Sequence, residues 1–196
     1  MKRRSNRAKG VLLIAFLVFA VVVGGMVFRK YQTATKVTPP AAPAEQVDTR
    51  VVTLFFSSQD GSSLAREGRE IAVEDTTDDM IASVVDELVV GPLGDLAPTL
   101  PHNARVLGAQ LKGDVVQVNF SKALVESLPE GSSAEMSAVY SVVDTVVANF
   151  PQVKAVQFLV DGVPVKELKG HLDLSAPIPA DFTLEKKEAP AAPEKQ

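Results

Sequence analysis

The chain has 196 residues, enough for about one domain with appendages, and 46% of them are hydrophobic while 22% are charged. It contains no cysteine, which excludes disulfides, thiolate metal sites, a cysteine nucleophile and a lipidated N-terminal cysteine. From residue 48 onward, the chain contains 12 Lys and Arg residues and 23 Asp and Glu residues, so this part has a net charge of −11. Because such an acidic body repels phosphate, we expect no nucleic-acid partner.

The N-terminus predicts a membrane anchor. Five basic residues lie within residues 1–10, and an uncharged apolar run of 18 residues follows at 11–28. This run has the minimum length for a helix that crosses a hydrocarbon core about 30 Å thick. Arg29 and Lys30 end the run, and no small-x-small cleavage site comes directly after it, which favours a signal anchor over a cleaved signal peptide. The basic residues before the run predict a cytoplasmic N-terminus and a single-pass protein of the cytoplasmic membrane, with its domain in the periplasm or outside.

Two segments rich in Pro and Ala enclose the rest of the chain. Residues 29–48 predict a semi-extended linker, and residues 184–196 predict a disordered tail, because neither segment has an apolar periodicity. The foldable unit is therefore predicted to be residues 49–183.

The first half of this unit predicts two strands and a helix. The run "VVTLFFSS" is β-branched and aromatic, and "REIAV" follows as a return strand. Thr76 and Asp79 form a predicted capping box, and Gly91 supplies the helix stop. The apolar residues between them have the spacing of one helix face: Ile81, Val84, Val85, Leu88 and Val89.

The second half repeats this pattern. "ARVLGAQLKGDVVQVNF" predicts two strands around a turn at Lys112 and Gly113, with Val116, Val118 and Phe120 on one face. "SSAEMSAVYSVVDTVVANFPQV" predicts a helix, with Ser132 and Glu135 as its capping box. Its predicted buried side contains Met136, Tyr140, Val143, Val147 and Phe150.

A final hairpin completes the predicted fold. In "KAVQFLVDGVPVKEL", Asp161 and Gly162 favour a type I′ turn, and Pro164 places the returning strand at a sheet edge. The predicted order is ββ-α-ββ-α-ββ behind one transmembrane helix. We expect an α+β domain with a small mixed sheet and both amphipathic helices packed on one face.

The chain resembles the GerMN domain family over residues 50–179, in the order of the family. The resemblance lies in Gly91-Pro92 after the first helix, Pro101, "NFS" at 119–121, the Asp161-Gly162 turn and the "GH" at 170–171. It implies a small assembly or interaction module on the outer face of the cytoplasmic membrane, of the kind found in sporulation and spore-germination proteins. It implies no catalytic residues. This chain has one copy of the domain rather than a tandem pair.

The stretch "KGHLDLSAP" places His171, Asp173 and Ser175 at alternating positions, which are the residue types of a hydrolase triad. On a strand, such residues lie about 6.6 Å apart, too far for the successive hydrogen bonds of a triad. We therefore expect a strand end instead, with the His171 side chain hydrogen-bonded to a backbone group and with Leu172 and Leu174 in the core.

Other candidate sites are weak. His102 and His171 are the only histidines and lack metal-ligand spacing, and "VEDTTDD" lacks the pattern of a calcium loop, so we predict no metal, cofactor or catalytic residues. Ser121 is a candidate helix cap. The loop "GPLGDLAPTLP" is either a connector or a recognition loop.

We therefore expect a membrane-anchored binding or scaffolding module that docks an envelope protein or peptidoglycan. An exposed sheet edge, such as that of the Pro164 strand, would suit such docking. The alternative is an enzyme or enzyme accessory acting on cell-wall glycan or peptide, with Asp114, Asp161 and Asp173 as default acids. Carboxylates that share a pocket would favour the enzyme. The sequence assigns no binding residues and no oligomeric state.

Overall fold

The computed structural model describes residues 16, 18–29 and 48–186, and the chain divides into two compact units, Met1–Gln46 and Val47–Gln196. In the first unit, residues 18–29 are helical. Among the residues described, no helix has the length and apolar character needed to span a membrane. The predicted basic N-terminus 1–10, residues 11–15 and 17 of the predicted span, residues 30–47 of the linker and 187–196 of the tail lie outside the described residues.

The second unit is a mixed α+β domain, as predicted, but with more elements than the predicted order contains. The additional elements are a short helix at Ala123–Ser127 and a short strand at Ile178–Pro179, after the hairpin. The elements are β1 (Thr49–Ser57), β2 (Leu64–Ala72), α1 (Thr77–Val90), β3 (Val106–Lys112), β4 (Val115–Phe120), α2 (Ala123–Ser127), α3 (Ser132–Asn149), β5 (Ala155–Val160), β6 (Val163–Pro164), β7 (Ile178–Pro179) and a 3₁₀ turn (Phe182–Leu184).

The strands form two sheets, so the prediction of a single small sheet is wrong. β1 and β2 pair antiparallel as a sheet of their own. The second sheet has the order β3-β4-β5-β6, with β7 also paired to β5, and only the β4–β5 pair is parallel. Helices α1 and α3 pack against each other, and each contacts strands of both sheets. The core therefore lies around the helices rather than on one side of a single sheet.

Helix α1 begins and ends as its sequence predicts. Thr76 is the N-cap, and its hydroxyl accepts a hydrogen bond from the Asp79 N–H at 3.1 Å. Gly91 ends the helix with φ 95°, a conformation that favours glycine. The buried face contains Met80, Ile81, Val84, Val85 and Leu88, and Val89 is half-buried. The apolar spacing alone thus identified the face of this helix.

Helix α3 covers the outer edge of β1 with polar side chains. The Thr145 hydroxyl accepts from the Phe55 N–H at 3.0 Å, and the Asn149 amide both accepts from the Thr53 N–H and donates to the Thr53 carbonyl, at 2.9 and 2.6 Å. These side chains form hydrogen bonds with backbone groups of β1 that would otherwise be unpaired at an exposed sheet edge. Polar residues are therefore buried on this side of α3.

The buried side predicted for α3 is only partly correct. Val143 and Phe150 are buried, but Met136 is exposed, and Tyr140 and Val147 are half-buried. The helix contacts β1 on one side and β5 on another, so its buried surface is much wider than a single stripe. It also includes Ala138, Val139, Ser141, Val142, Asp144, Thr145, Val146 and Asn149.

The final hairpin is confirmed, although its edge strand is short. Asp161 and Gly162 have φ values of 47° and 81°, as a type I′ turn requires. Pro164 lies in β6, the last strand of the sheet order, and β6 has only two residues. So short a strand offers little edge for pairing with a partner.

A C-terminal segment closes the domain over β1 and β2. The Phe182 ring packs 5.8 Å from Phe55, and Arg66 makes two hydrogen bonds to Glu185, at 2.5 and 2.9 Å. The Asp181 N–H donates to Asp144, a buried carboxyl whose second oxygen has no partner among the described residues. Burial raises the pKa of Asp144 to about 6, and the charges of Asp181 and Glu185 act in the same direction.

Candidate functional site

Glu135 does not cap α3, contrary to the predicted capping box. The N-cap is Gly131, and no side chain caps the helix. The Glu135 side chain is instead fully buried, and its two carboxylate oxygens accept hydrogen bonds from three backbone N–H groups, those of Leu168, Lys169 and His171, at 2.8–3.0 Å. Burial alone would raise the pKa of this carboxyl, but these three donors hold it below its usual value.

The "KGHLDLSAP" stretch is a loop fixed by Glu135 rather than a strand end. The predicted role of the His171 side chain is wrong, because the side chain is exposed and only the backbone N–H of His171 is held. Asp173 accepts from both the backbone N–H and the hydroxyl of Ser175, which closes a local turn. Leu174 is fully buried, and Leu172 is half-buried against the core. No hydrogen bond recorded in the described part of the chain connects the His171 ring to Asp173 or Ser175.

This arrangement predicts how the stretch responds to substitution. His171→Ala should change the free energy of unfolding by less than about 0.5 kcal/mol, because it removes only an exposed ring. Leu174→Ala should lower it by about 2–5 kcal/mol, because it leaves a cavity in the core. Denaturant titration of the two variants measures both values. A larger loss for His171→Ala than for Leu174→Ala would contradict the structure.

The three default carboxylates do not converge. Asp114 precedes β4 and forms a salt bridge with Lys154 at 3.1 Å, whereas Asp161 lies in the turn that follows β5. Because β4 and β5 run parallel in register over six residues, these two positions lie at opposite ends of the sheet, about 20 Å apart. Asp173 is engaged with Ser175. These carboxylates form no acid–base pair of a glycosidase.

The other sequence candidates have structural partners. The described residues contain no group of three or more His, Cys, Asp or Glu side chains that could hold a metal. Within "VEDTTDD", Asp78 accepts from the Leu111 N–H at 2.9 Å and so connects α1 to β3. Ser121 does not cap α2. Its hydroxyl accepts instead from the Arg105 N–H at 3.1 Å.

The loop after α1 is held by two side chains from β2. The Glu67 carboxylate accepts from the N–H groups of Leu93 and Gly94 at 3.0–3.2 Å. Arg69, whose side chain is only 6% exposed, donates to the carbonyls of Glu87 and Gly91 and forms salt bridges with Glu67 and Glu87. These two side chains therefore hold the start of the loop in place, and this part of the loop acts as a connector between α1 and β3.

The later part of that loop lines an open cavity of the described domain, which we call the groove. It has a volume of about 610 Å³. Its walls are formed by the end of β1, the end of α1, residues 97–103, the segment after α2 and the first turn of α3. It lies at the Ser57 end of β1, about 26 Å along the strand from Thr49, where the chain enters the domain.

The groove is largely apolar and lacks strong charges. Prolines, valines, leucines and alanines form about half of its wall, together with glycines, one histidine and hydroxyl and amide side chains, and none of its lining residues is Asp, Glu, Lys or Arg. Two acidic residues flank the lining in sequence: Asp60 accepts from the hydroxyls of Ser58, a lining residue, and Ser62, and Glu130 forms a salt bridge with Lys169. His102, a candidate ligand in sequence, lies in the wall without a second histidine beside it.

Helix α3 begins at the groove without a side-chain cap. Ser133, Ala134 and Ser137 line it, and in the part of the chain that the structure describes the first hydrogen bond of the helix is the one from the Glu135 N–H to the Gly131 carbonyl, at 3.1 Å. Thr99 lines the same groove. It is only 7% exposed, yet its hydroxyl has no partner within the described residues. The groove thus combines a helix start without a side-chain cap and a largely apolar wall.

Sequence reasoning did not identify this site. Its wall comes from five separated segments, and the signal for α3, the "SSAE" run, indicates a capped helix start rather than an open one. The loop "GPLGDLAPTLP" was a candidate recognition loop, and Thr99 and Pro101 do line the groove. That loop therefore serves as a connector at its start and as a wall of the groove at its end.

The domain can now be compared with known proteins. Residues 53–166 match the Germane family, described as "Sporulation and spore germination". The tandem GerMN domains of the sporulation protein GerM from Bacillus subtilis match at 16% identity with a TM-score of 0.55, over 76% of this chain and 51% of that one. A protein of Clostridium perfringens described as a lipoprotein matches at 23% identity with a TM-score of 0.49, over 76% of this chain and all of that one. No curated protein matches the chain.

The fold is thus that of a mixed α+β domain of the GerMN type, and this chain spans about half of the tandem protein. Because the family match covers more than half of the sequence, the chain belongs to the Germane family of sporulation and spore germination domains, as the sequence motifs indicated.

Proposed function

We propose that the chain is a membrane-anchored, extracytoplasmic binding and scaffolding module of the bacterial cell envelope. In this proposal, residues 11–28 form the anchor, residues 29–48 the linker and residues 49–183 most of the displayed domain. The basic residues before the apolar run support this orientation. The family description, sporulation and spore germination, is consistent with a role at the envelope.

The observation that carries the binding role is the groove. It opens at the Ser57 end of β1, opposite Thr49 at the start of that strand. The wall of the groove contains no carboxylate, and Asp114 and Asp161 lie at opposite ends of the sheet, so these described residues do not support the alternative of a cell-wall hydrolase. An apolar concave surface with a few polar groups is typical of a binding site.

The topology of this proposal can be tested directly. A reporter enzyme that is active only outside the cytoplasm should be active when fused after Gln196, because the five basic residues near the N-terminus keep that end in the cytoplasm. The mature protein should retain residues 1–30. A mature N-terminus near residue 45, or an inactive reporter on a stable fusion, would contradict the anchor.

The proposal that the groove is the docking surface can be tested in the same cells, by comparing crosslinking at two positions. A photo-crosslinking residue at Val90, which lines the groove, should form a defined product with an envelope component. The same residue at Val51 should not, although both valines are 71% exposed, because Val51 lies at the opposite end of β1. Equal products from both positions would show that the groove is not the docking surface.

A further inference from the structure

Strand β2 has an open outer edge. It pairs with β1 along one side, and along the other side only the Leu64 carbonyl has a recorded backbone partner in the described part of the chain, the Lys186 N–H at 2.8 Å. Because outward-facing residues alternate along an antiparallel strand, the N–H and carbonyl groups of Arg66, Gly68 and Glu70 also point away from β1. An unpaired strand edge is a template for pairing with another chain.

The side chains leave this edge accessible. Arg66, Gly68 and Glu70 are all exposed, and they lie on the same face of the sheet as Val51, which is 71% exposed. A side chain at Gly68 would meet only that of Val51, at an ordinary contact distance of 3.8 Å. The C-terminal segment reaches the edge at Leu64 alone, so the backbone from Arg66 to Glu70 is available for a further strand.

The charges along β2 are complementary to themselves. They read "REGRE", with Gly68 at the centre of both this run and the strand. Antiparallel alignment of two copies about Gly68 places Arg66 of one copy opposite Glu70 of the other. It also places Glu67 opposite Arg69. A shift by two residues would oppose Arg69 to Arg69 or Glu67 to Glu67, and parallel alignment in register would oppose like charges throughout. Since like charges directly opposite are destabilising, the pattern favours one register.

We propose that two copies of this chain pair through the outer edge of β2, antiparallel about a two-fold axis at Gly68, so that β1 and β2 of both copies form one continuous sheet. Gly68 exchanges both of its backbone hydrogen bonds with Gly68 of the second copy, and Arg66 does so with Glu70. The Arg66 guanidinium has five donors, so it can bind the Glu70 carboxylate of the second copy while it keeps its contact with Glu185. This pairing goes beyond the proposed function and does not use the groove.

A second copy fits the edge better than the tail of the same chain. The segment that follows Lys186 contains Pro190 and Pro193, which have no N–H to donate to a ladder. Charge favours the second copy as well. From residue 48 onward the chain has a net charge of −11, but the "REGRE" run is neutral, so two copies can approach at this edge without the repulsion that the rest of the surface would cause.

The absence of cysteine from the chain allows a direct test of the pairing and its register. In a hydrogen-bonded antiparallel pair the Cα atoms lie about 5.5 Å apart, within the range of a disulfide. Gly68→Cys, in the full chain in detergent, should therefore form a disulfide-linked dimer under mild oxidation, at least about tenfold faster than Ala72→Cys. Ala72 is exposed on the same strand, but its two copies would lie roughly 27 Å apart.

Charge reversal gives a matched pair of variants. Glu70→Arg opposes two arginines and Arg66→Glu opposes two glutamates, so each variant alone should weaken dimerisation at least about tenfold. An equimolar mixture restores an arginine opposite a glutamate at both positions and should form a mixed dimer with about the wild-type affinity. Sedimentation of the full chain in detergent measures these affinities. Because both side chains are exposed, both variants should melt close to the wild-type temperature.

Several results would overturn the inference. Equal crosslinking of Gly68→Cys and Ala72→Cys would exclude the two-fold register, and unchanged dimerisation of Glu70→Arg would place any dimer contact elsewhere. Failure of the mixture to recover would exclude the charge pairing. A dimer that forms only after residues 187–196 are removed would assign the edge to the tail. Specific crosslinking at Val90 in cells does not depend on this pairing, so the proposed binding function would remain if the pairing fails.

Discussion

Replacing Glu135 by Ala should lower the free energy of unfolding of the domain by about 3–5 kcal/mol, which makes it one of the most damaging single changes expected here. The side chain is fully buried and is the only recorded acceptor for three N–H groups of the loop 168–171. Each buried donor left unpaired costs about 1–3 kcal/mol, and water entering the vacated space recovers part of that loss. Denaturant unfolding of the variant and the wild type measures the difference.

The control for this prediction is Ser132→Ala. A capping box would make Ser132 important, with a loss of about 1 kcal/mol on substitution. In the structure its hydroxyl makes no cap bond, so we expect a change within about 0.5 kcal/mol. Comparable losses for Ser132→Ala and Glu135→Ala would show that Glu135 acts as a cap after all.

The contribution of Glu135 should also depend on pH in a defined direction. Its pKa in the folded protein is lowered from the usual 4.5, so the folded state favours the ionised form. The resulting stability is present above pH 4.5 and is lost as the pH falls through the folded-state pKa. The difference in stability between wild type and Glu135→Gln should therefore shrink below about pH 4.5, and a difference that grows in acid would contradict this assignment.

Replacing Arg69 by Met should also cost about 3–5 kcal/mol. The guanidinium is almost fully buried, and it binds the partly buried carboxylates of Glu67 and Glu87 and two backbone carbonyls. Its removal leaves both carboxylates without their counter-charge and both carbonyls without this donor. Methionine keeps the length and the apolar stem, which restricts the change mainly to the lost charge and donors. We expect the loop at Leu93 to loosen as well, because Arg69 orients the Glu67 carboxylate that binds it.

Arg66 is the matched control on the same strand. It also forms a salt bridge, with Glu185 at 2.5 Å, but its side chain is 53% exposed. An ion pair so open to solvent contributes about 1 kcal/mol or less, so Arg66→Met should have a small effect. Thermal unfolding and hydrogen exchange of the Leu93 amide measure the two variants side by side. Equal losses would show that burial does not decide the importance of these arginines.

The sequence predicted local structure well wherever the chemistry is local. The Thr76 cap, the Gly91 stop and the apolar face of α1 depend on residues within one or two turns of each other. The Asp161–Gly162 turn depends on two adjacent residues that tolerate positive φ. The α+β class and the family follow from the order of such segments, and these predictions are confirmed.

Prediction from the sequence failed for polar side chains whose hydrogen-bond partners are distant in the sequence. Glu135 follows Ser132 at capping-box spacing, but its true partners lie 33–36 residues away. Thr145 and Asn149 are polar residues of α3, and they bind the edge of β1 90 and 96 residues earlier. The apolar period of the helix cannot reveal these partners, because a polar residue satisfied by a remote backbone group has the same sequence pattern as one satisfied by water.

By itself, then, the sequence determined the main helices and strands and the family of this protein, since these depend on composition and on neighbouring residues, and the anchor remains its prediction. Only the tertiary structure decided that the strands form two sheets, that "KGHLDLSAP" is a loop held on a buried carboxylate, and that an open helix end faces a groove. The physical reason is that a concave site is made by segments brought together from across the chain, 57 to 137 in this domain, and no short pattern records which of them will meet.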